Sequence, residues 1–290
     1  MGKDLYESDP DSRQLFRLAD QTLGFALSAV CFEGPEAELR QTRNTQPAIF
    51  LHSVVVLNRL RALNADVVAG HSLGEYSALV AAGAIQFRDA LRLVRLRGEL
   101  MQRAGEEQKG TMAAVVGLSP EVITKICTEA SSEGVVQPAN FNSPGQIVIS
   151  GSVGGVRKGM ELAKARGAKV VKELVVSGAF HSPLMASAQE GLWKELEKTS
   201  ISDIGVPVYA NVTAEPVTKA SEIRRLLCEQ LTCPVRWEET VKNMIRDGVT
   251  RIFEIGPGKV LQGLVKRTDT SVETAGFDTA SDLSQLKDIS

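Results

Sequence analysis

The sequence predicts an α/β fold in which a small unit is inserted into a larger one. Helical patterns and short β-branched runs alternate along most of the 290 residues, and this alternation is typical of helices packed on a largely parallel sheet. In residues 110–178 the order changes to β-α-β-β-α-β, which is the split pattern of a ferredoxin-like unit. We therefore expect a large unit at residues 1–109 and 179–290, and a small unit at residues 110–178.

The first part of the large unit predicts three helices and one buried strand. Apolar residues recur at helical spacing in residues 12–30, 46–63 and 87–104. Residues 65–69 are a short apolar run that ends at a glycine, which indicates a buried strand. A charged link with two glycines follows at residues 105–110 and ends this part.

The rest of the chain supplies the small unit and completes the large one. The small unit has predicted strands at 111–117, 135–141, 146–150 and 168–175, and predicted helices at 120–131 and 153–166. The large unit continues with predicted helices at 185–198, 220–231, 235–247 and 259–266, and strands at 206–211 and 249–255. A Gly-Pro-Gly turn at 256–258 lacks the Gly-Lys-Ser/Thr pairing of a phosphate loop, so we interpret it as structural.

Composition excludes several classes of function. The net charge of −2 argues against a nucleic-acid partner, which would require a basic face. No apolar run has the length of a membrane span, and residues 1–15 are too polar for a secretory signal. The four cysteines match no zinc-binding spacing. We expect a cytoplasmic protein without a metal site, and with reduced cysteines.

The motif Gly-x-Ser-x-Gly stands at residues 70–74. An apolar strand precedes it and an Ala/Leu/Val-rich helix follows it, which is the context that this motif requires. A serine on such a tight turn has its hydroxyl exposed, and the start of the helix directs N–H groups at any oxyanion formed there. We predict that Ser72 is a nucleophile, and that the turn has no room for a Cβ atom at Gly70 or Gly74.

A serine nucleophile needs a base within hydrogen-bond reach, and the chain has three histidines. His52 lies inside a predicted helix, and the side chain of His71 should diverge from that of its neighbour Ser72. His181 follows the last strand of the small unit, at the seam of the two units, and is the best candidate. No acid between Ser72 and His181 stands out as the third member of a catalytic triad. This favours a carbonyl group in that role, and it weakens the interpretation of the chain as an ordinary hydrolase.

Three arginines of the predicted helix 87–104 are candidates for binding a substrate carboxylate. Arg92, Arg95 and Arg97 cannot all face one way, because helix neighbours repeat at three and four residues. A buried arginine would hold a carboxylate by a two-pronged, charge-assisted pair. The residue pattern leaves the choice among the three open.

Five segments together resemble the malonyl-CoA:acyl carrier protein transacylases. They are Gly-His-Ser-Leu-Gly-Glu at 70–75, Arg-Gly at 97–98 with Met-Gln at 101–102, Asn-Ser-Pro-Gly-Gln at 142–146, Phe-His-Ser at 180–182, and Glu-Ile-Gly-Pro-Gly-Lys-Val-Leu at 254–261. Their order is that of the family, and the resemblance covers nearly the whole chain. It implies an α/β-hydrolase-like core with a ferredoxin-like insert.

The resemblance also implies roles for individual residues. Ser72 corresponds to the acylated nucleophile, His181 to its base, and Gln230 to the position whose carbonyl orients the histidine. The backbone N–H of Leu73 corresponds to one oxyanion donor. This set would catalyse ping-pong acyl transfer through a seryl ester.

Further positions bear on the substrate. Arg97 is similar to the arginine that pairs with the free malonyl carboxylate, and His71 and Phe180 resemble the malonyl-selective pattern at the positions before the serine and the histidine. The implied partners are malonyl-CoA and acyl carrier protein, with no cofactor and no metal, and we expect a monomer. The pathway could be fatty-acid or polyketide extension.

One departure from the family pattern concerns the start of the chain. Family members open with a strand and a Phe-Pro-Gly-Gln-Gly-Ser-Gln loop, whose glutamine supplies a second oxyanion N–H, whereas this sequence starts at Met1-Gly2-Lys3-Asp4-Leu5. Without that strand we expect unpaired strand edges. Two alternatives to the transacylase therefore stay open: a thioesterase-type serine hydrolase, and an impaired form that only binds acyl carrier protein.

Overall fold

A computed structural model describes residues 1–60 and 64–284. The helices are α1 (Lys3–Ser8), α2 (Pro10–Leu23), α3 (Leu27–Glu33), α4 (Glu36–Leu39), α5 (Thr42–Arg59), α6 (Gly74–Ala81), α7 (Phe87–Glu107), α8 (Pro120–Ala130), α9 (Val153–Ala165), α10 (Ala186–Leu196), α11 (Ala220–Glu229), α12 (Trp237–Arg246), α13 (Val260–Thr268) and α14 (Ala280–Ser284). The strands are β1 (Val68–Ala69), β2 (Gly110–Val116), β3 (Val136–Ser143), β4 (Gln146–Ser152), β5 (Val170–Glu173), β6 (Val208–Tyr209), β7 (Pro216–Val217), β8 (Arg251–Ile255) and β9 (Glu273–Phe277). Short 3-10 turns lie at Ser131–Glu133 and Pro183–Met185.

The helical predictions hold with shifted boundaries. The predicted helix 12–30 is two helices, α2 and α3, because the chain turns at Gly24, whose φ of 73° suits a residue without a Cβ atom. The predicted helix 46–63 begins earlier, at Thr42. Its last three residues, 61–63, lie outside the described residues.

The sheet of the large unit consists of two separate parts. Strands β1 and β6 run parallel, and β7 adds to β6 in the antiparallel direction. Strands β8 and β9 form a second parallel pair. Among the described residues β1 pairs only with β6, and β8 only with β9. The strand pairs of the large unit are therefore largely parallel, as predicted, with β7 as the antiparallel exception, but they form two parts, and one edge of β1 has no strand partner among the described residues.

The two parts belong to the same layer of the fold. Val68 of β1 and Phe253 of β8 pack against one apolar cluster, which is built mainly from α5, α6, α7, α10 and α11. Tyr209 of β6 and Ile252 of β8 pack in a second cluster with α12 and α13. The parallel strands thus lie between helices on both faces, as expected for an α/β-hydrolase-like core.

The small unit has the topology that the sequence predicts. Its four strands are antiparallel in the order β3-β4-β2-β5, and α8 and α9 bury their apolar sides on one face. The order β2-α8-β3-β4-α9-β5 is that of a ferredoxin-like unit.

Strand β3 joins the small unit to the large one. The Phe141 N–H donates to the Val235 carbonyl, and the Val235 N–H donates to the Ala139 carbonyl, both over 2.9 Å. These bonds hold the loop between α11 and α12 against the free edge of β3. They set one wall of the site described below.

Two further findings concern the described residues as a whole. None of their helices is both long and apolar enough to cross a membrane. Within the same ranges, no group of three or more His, Cys, Asp or Glu side chains is placed to bind a metal ion. The four cysteines are free thiols.

Candidate active site

Ser72 lies on the sharp turn between β1 and α6, with its backbone in the left-handed region at φ 50°. A Cβ atom at Gly70 would lie 1.9 Å from the carbonyl carbon of Gly74, so only glycine fits there. At Gly74 a Cβ atom would meet nothing within 4 Å. The prediction of a crowded turn was therefore correct for Gly70 and wrong for Gly74, where the new methyl group would point into open space.

The Ser72 hydroxyl faces His181. The Ser72 Oγ atom lies 2.8 Å from His181 Nε2, and His181 Nδ1 lies 2.7 Å from the Gln230 carbonyl oxygen. Because a carbonyl oxygen can only accept, Nδ1 must carry the hydrogen, and Nε2 is free to accept the serine proton. Among the described residues no carboxylate contacts His181, so a carbonyl group orients the histidine. The sequence also favours a carbonyl over an acid in this role.

The surroundings of His181 keep its ring neutral. The side chain is 3% exposed, and its φ of 56° is in the left-handed region. Burial and, secondly, the nearby charge of Arg97 lower the pKa of His181 to about 3. A neutral imidazole is the form that can take a proton from a hydroxyl.

Arg97 is the arginine that faces the serine. It is 1% exposed and donates to three neutral oxygens: Gln46 Oε1 at 2.7 Å, Ser72 Oγ at 3.0 Å and Gln230 Oε1 at 2.9 Å. It forms no ion pair with any carboxylate of the described residues, and its Nε atom has no partner. A buried cation without a carboxylate partner has the chemistry to bind an anionic group.

The other two candidate arginines of α7 face away from the serine. Arg92 is exposed and pairs with Asp89, and Arg95 is half-buried and pairs with Glu99. A signal in the sequence distinguishes Arg97 from both, because it lies in the buried stripe of α7, three residues after Val94 and four before Met101.

A buried network, which the sequence analysis did not predict, supports these groups. Glu75 is 3% exposed and accepts hydrogen bonds from the Asn211 N–H and from Gln230 Nε2, at 3.0 and 2.8 Å. Burial raises the pKa of Glu75 to about 7, while its bonds and the Arg97 charge act in the opposite direction. Asn211 in turn accepts the Ser72 N–H at 2.6 Å, so the network holds the backbone of the nucleophile.

The remaining predicted residues surround this centre. The Leu73 N–H has no acceptor among the described residues and is free at the start of α6. His71 diverges from Ser72, as expected, and its Nε2 lies 2.9 Å from Asn142 Oδ1 of β3, beside the Trp237 ring. Phe180 is half-buried and packs between clusters of the large and the small unit.

Comparison with known proteins agrees with this geometry. Residues 1–285 match the acyl transferase domain family. The chain is 48% identical over 277 residues to the malonyl CoA-acyl carrier protein transacylase of Bacillus subtilis, which covers 94% of this chain and 87% of that protein. It is 44% identical over 268 residues to the enzyme of the same name from Haemophilus influenzae, covering 91% and 86%.

Solved structures agree in the whole fold. A malonyl-transacylase in complex with a type II PKS acyl-carrier protein superposes with a TM-score of 0.96 at 41% identity, over 100% of this chain and 95% of that one. The acyl carrier protein S-malonyltransferase of Vibrio cholerae gives 0.95 at 41% identity, over 99% and 94%. The chain therefore belongs to the acyl transferase domain family, among the malonyl-CoA–acyl carrier protein transacylases.

Proposed function

We propose that this chain transfers a malonyl group from malonyl-CoA to the phosphopantetheine thiol of an acyl carrier protein, through an ester on Ser72. One observation carries the proposal: the Ser72 hydroxyl lies between His181 and Arg97, 2.8 Å from one and 3.0 Å from the other. A base beside a hydroxyl supports acyl transfer. A buried cation beside the same hydroxyl supports a substrate whose acyl group carries a free carboxylate.

In the first half-reaction the Ser72 oxygen attacks the thioester carbonyl while its proton moves to His181 Nε2. The carbonyl oxygen becomes an oxyanion, which accepts a hydrogen bond from the Leu73 N–H. The carbonyl then re-forms, the C–S bond breaks, and the proton on Nε2 passes to the coenzyme A sulfur. The Gln230 carbonyl holds the Nδ1 hydrogen throughout, so the ring keeps one orientation.

Arg97 binds the free malonyl carboxylate by charge-assisted hydrogen bonds. This ion pair has a second effect, because the Arg97 charge is one of the causes that lower the pKa of His181. A bound carboxylate offsets that charge and makes His181 a stronger base. An acid-bearing acyl group therefore promotes its own transfer, whereas an acetyl group does not.

The second half-reaction repeats these steps with a different thiol. The phosphopantetheine sulfur attacks the malonyl ester, His181 takes the thiol proton, and the Ser72 oxygen leaves and receives that proton. The acyl carrier complex of the malonyl-transacylase named above supports a carrier protein as acceptor. The absence of a cofactor, the monomeric state and the cytoplasmic location expected from the sequence stay predictions.

The first test is the intact mass of the protein after brief incubation with malonyl-CoA. We expect one malonyl adduct on the wild-type chain and none on Ser72→Ala, because the ester forms on the Ser72 oxygen. Ser77→Ala is the matched control, since Ser77 lies in α6, five residues after Ser72. An adduct that persists in Ser72→Ala would contradict the proposal.

A further inference from the structure

One side chain of the small unit contacts the backbone of His181 and of the segment that follows Gln230. Gln137, on β3, is half-buried, and its Nε2 atom donates to the His181 carbonyl oxygen at 2.9 Å and to the Thr232 carbonyl oxygen at 3.0 Å. Thr232 lies two residues after Gln230, whose own carbonyl orients the histidine. A single amide group therefore connects the two segments whose relative position sets the hydrogen bond between His181 Nδ1 and the Gln230 carbonyl.

The backbone of His181 needs such a contact. Its φ of 56° is in the left-handed region, which is unfavourable for a residue with a side chain. A rotation of this peptide would move Nε2 away from the Ser72 hydroxyl and Nδ1 away from the Gln230 carbonyl. The two bonds from Gln137 resist that rotation from outside the large unit.

We propose that Gln137 is a positioning residue of the transfer reaction, through which the small unit holds His181 and the Gln230 segment at the distance that proton transfer requires. The inference rests on the proposed function. The small unit, which forms one wall of the site, thereby also takes part in base catalysis. Gln137 itself does not contact the reacting atoms and acts through the histidine.

The chain offers a matched control for a purely structural role. Gln189 of α10 is also half-buried, and its Nε2 also donates twice to the same segment, to the Cys228 carbonyl and to Thr232 Oγ1, both at 3.2 Å. It makes no hydrogen bond to His181. Loss of Gln189 therefore loosens the 228–232 segment without releasing the histidine.

The experiment measures single-turnover acylation by malonyl-CoA in the wild-type chain and in Gln137→Ala, Gln137→Met and Gln189→Ala, after thermal melting has shown that each variant is folded. We expect the acylation rate constant to fall by about tenfold or more in both Gln137 variants, since small displacements of a catalytic group can cost about a hundredfold. The half-saturating malonyl-CoA concentration should stay close to the wild-type value, because Arg97 is untouched. Gln189→Ala should acylate at nearly the wild-type rate.

A second variant tests the hydrogen-bond donor itself. Gln137→Glu has nearly the same shape, but its carboxylate would face two carbonyl oxygens, which disfavours the charged form and raises the pKa of the introduced group. Protonation restores one donor. The acylation rate of this variant, relative to wild type at the same pH, should therefore rise as the pH falls from 8 to 5, whereas the same ratio for Gln189→Glu should stay level.

The outcomes separate the inference from the function on which it rests. Absence of any adduct on the folded wild-type chain would overturn the proposed function and this inference together. Wild-type acylation with unchanged rates in the folded Gln137 variants, or equal losses in the Gln137 and Gln189 variants, would overturn the inference alone.

Discussion

At the scale of single residues, the site depends on a buried charge that no carboxylate of the described residues contacts by a hydrogen bond or ion pair. The three bonds that Arg97 makes are to neutral oxygens, and the nearest acid of the network, Glu75, bonds to Asn211 and Gln230 instead. Burying an unpaired cation costs free energy. A ligand carboxylate recovers part of that cost, so the same residue provides affinity and selectivity.

Removal of the Arg97 charge should therefore affect malonyl transfer more than acetyl transfer. For Arg97→Met we expect acylation efficiency with malonyl-CoA to fall by about 10- to 100-fold, because hydrogen bonds to charged groups contribute about 1.5–3 kcal/mol. Arg97→Lys should recover only part of the loss, since an ammonium group lacks the planar fork. The measurement is single-turnover acylation with both thioesters. Arg103→Met, an exposed position on the same helix, is the control, and equal losses with malonyl-CoA and acetyl-CoA would count against the assigned role.

At the scale of elements, the strand–turn–helix around Ser72 depends on close backbone contact. Strand β1 is only two residues long, so its pairing with β6 contributes little to holding the turn in place. The close approach of Gly70 to the first turn of α6 holds it instead, and it leaves no room for a side chain. The positive φ of Ser72 follows from this tight connection.

The two motif glycines should respond oppositely to alanine. Gly70→Ala forces a methyl group into the backbone of Gly74 and Glu75, so we expect a loss of about 1–3 kcal/mol or more in the free energy of unfolding. Gly74→Ala adds a methyl group in open space at the start of a helix, and it should be neutral or stabilising by up to about 1 kcal/mol. Urea denaturation measures both. A Gly70→Ala variant as stable as wild type would contradict the described turn.

At the scale of the whole molecule, three histidines are held in their neutral form by the fold. Burial lowers the pKa of His52, His71 and His181 below the ordinary value of 6.5. In the unfolded chain all three take up protons as the pH falls through 6.5, whereas in the folded chain they take them up only at lower pH. Stability must then decrease over this range, because the unfolded state binds more protons.

We therefore expect the free energy of unfolding to be lower at pH 5 than at pH 7.5. Glu75 acts in the opposite sense, since its pKa of about 7 means that the folded state takes up its proton first, but it is one group against three. Denaturant titrations at several pH values measure the slope of the free energy of unfolding against pH. His71→Gln removes one titrating group and should make this slope shallower. Equal stability at both pH values would show that the histidines are not held neutral.

Many elements of this protein, and part of its site, could be predicted from local signals. Helical periodicity and glycine-containing turns located the main helices and the antiparallel small unit, because these patterns act within one element or one hairpin. Ser72 and His181 followed from a turn motif and from the small number of histidines. The division of the parallel sheet into two parts did not follow, because the β1–β6 pairing joins segments more than a hundred residues apart, and local patterns do not show which strands pair.

The sequence by itself determined the order of the elements and indicated the nucleophile, since these depend on residues close together in the chain, and the small number of histidines indicated the base. Only the tertiary structure showed that Arg97, which the family resemblance singles out, faces Ser72, and that Glu75, Asn211 and Gln137 hold the site. Arg97 is buried because its side of α7 packs on α5. The bonds of the other three join segments that are distant in sequence. The physical reason is that hydrogen bonds and burial depend on distance in space, which folding alone sets.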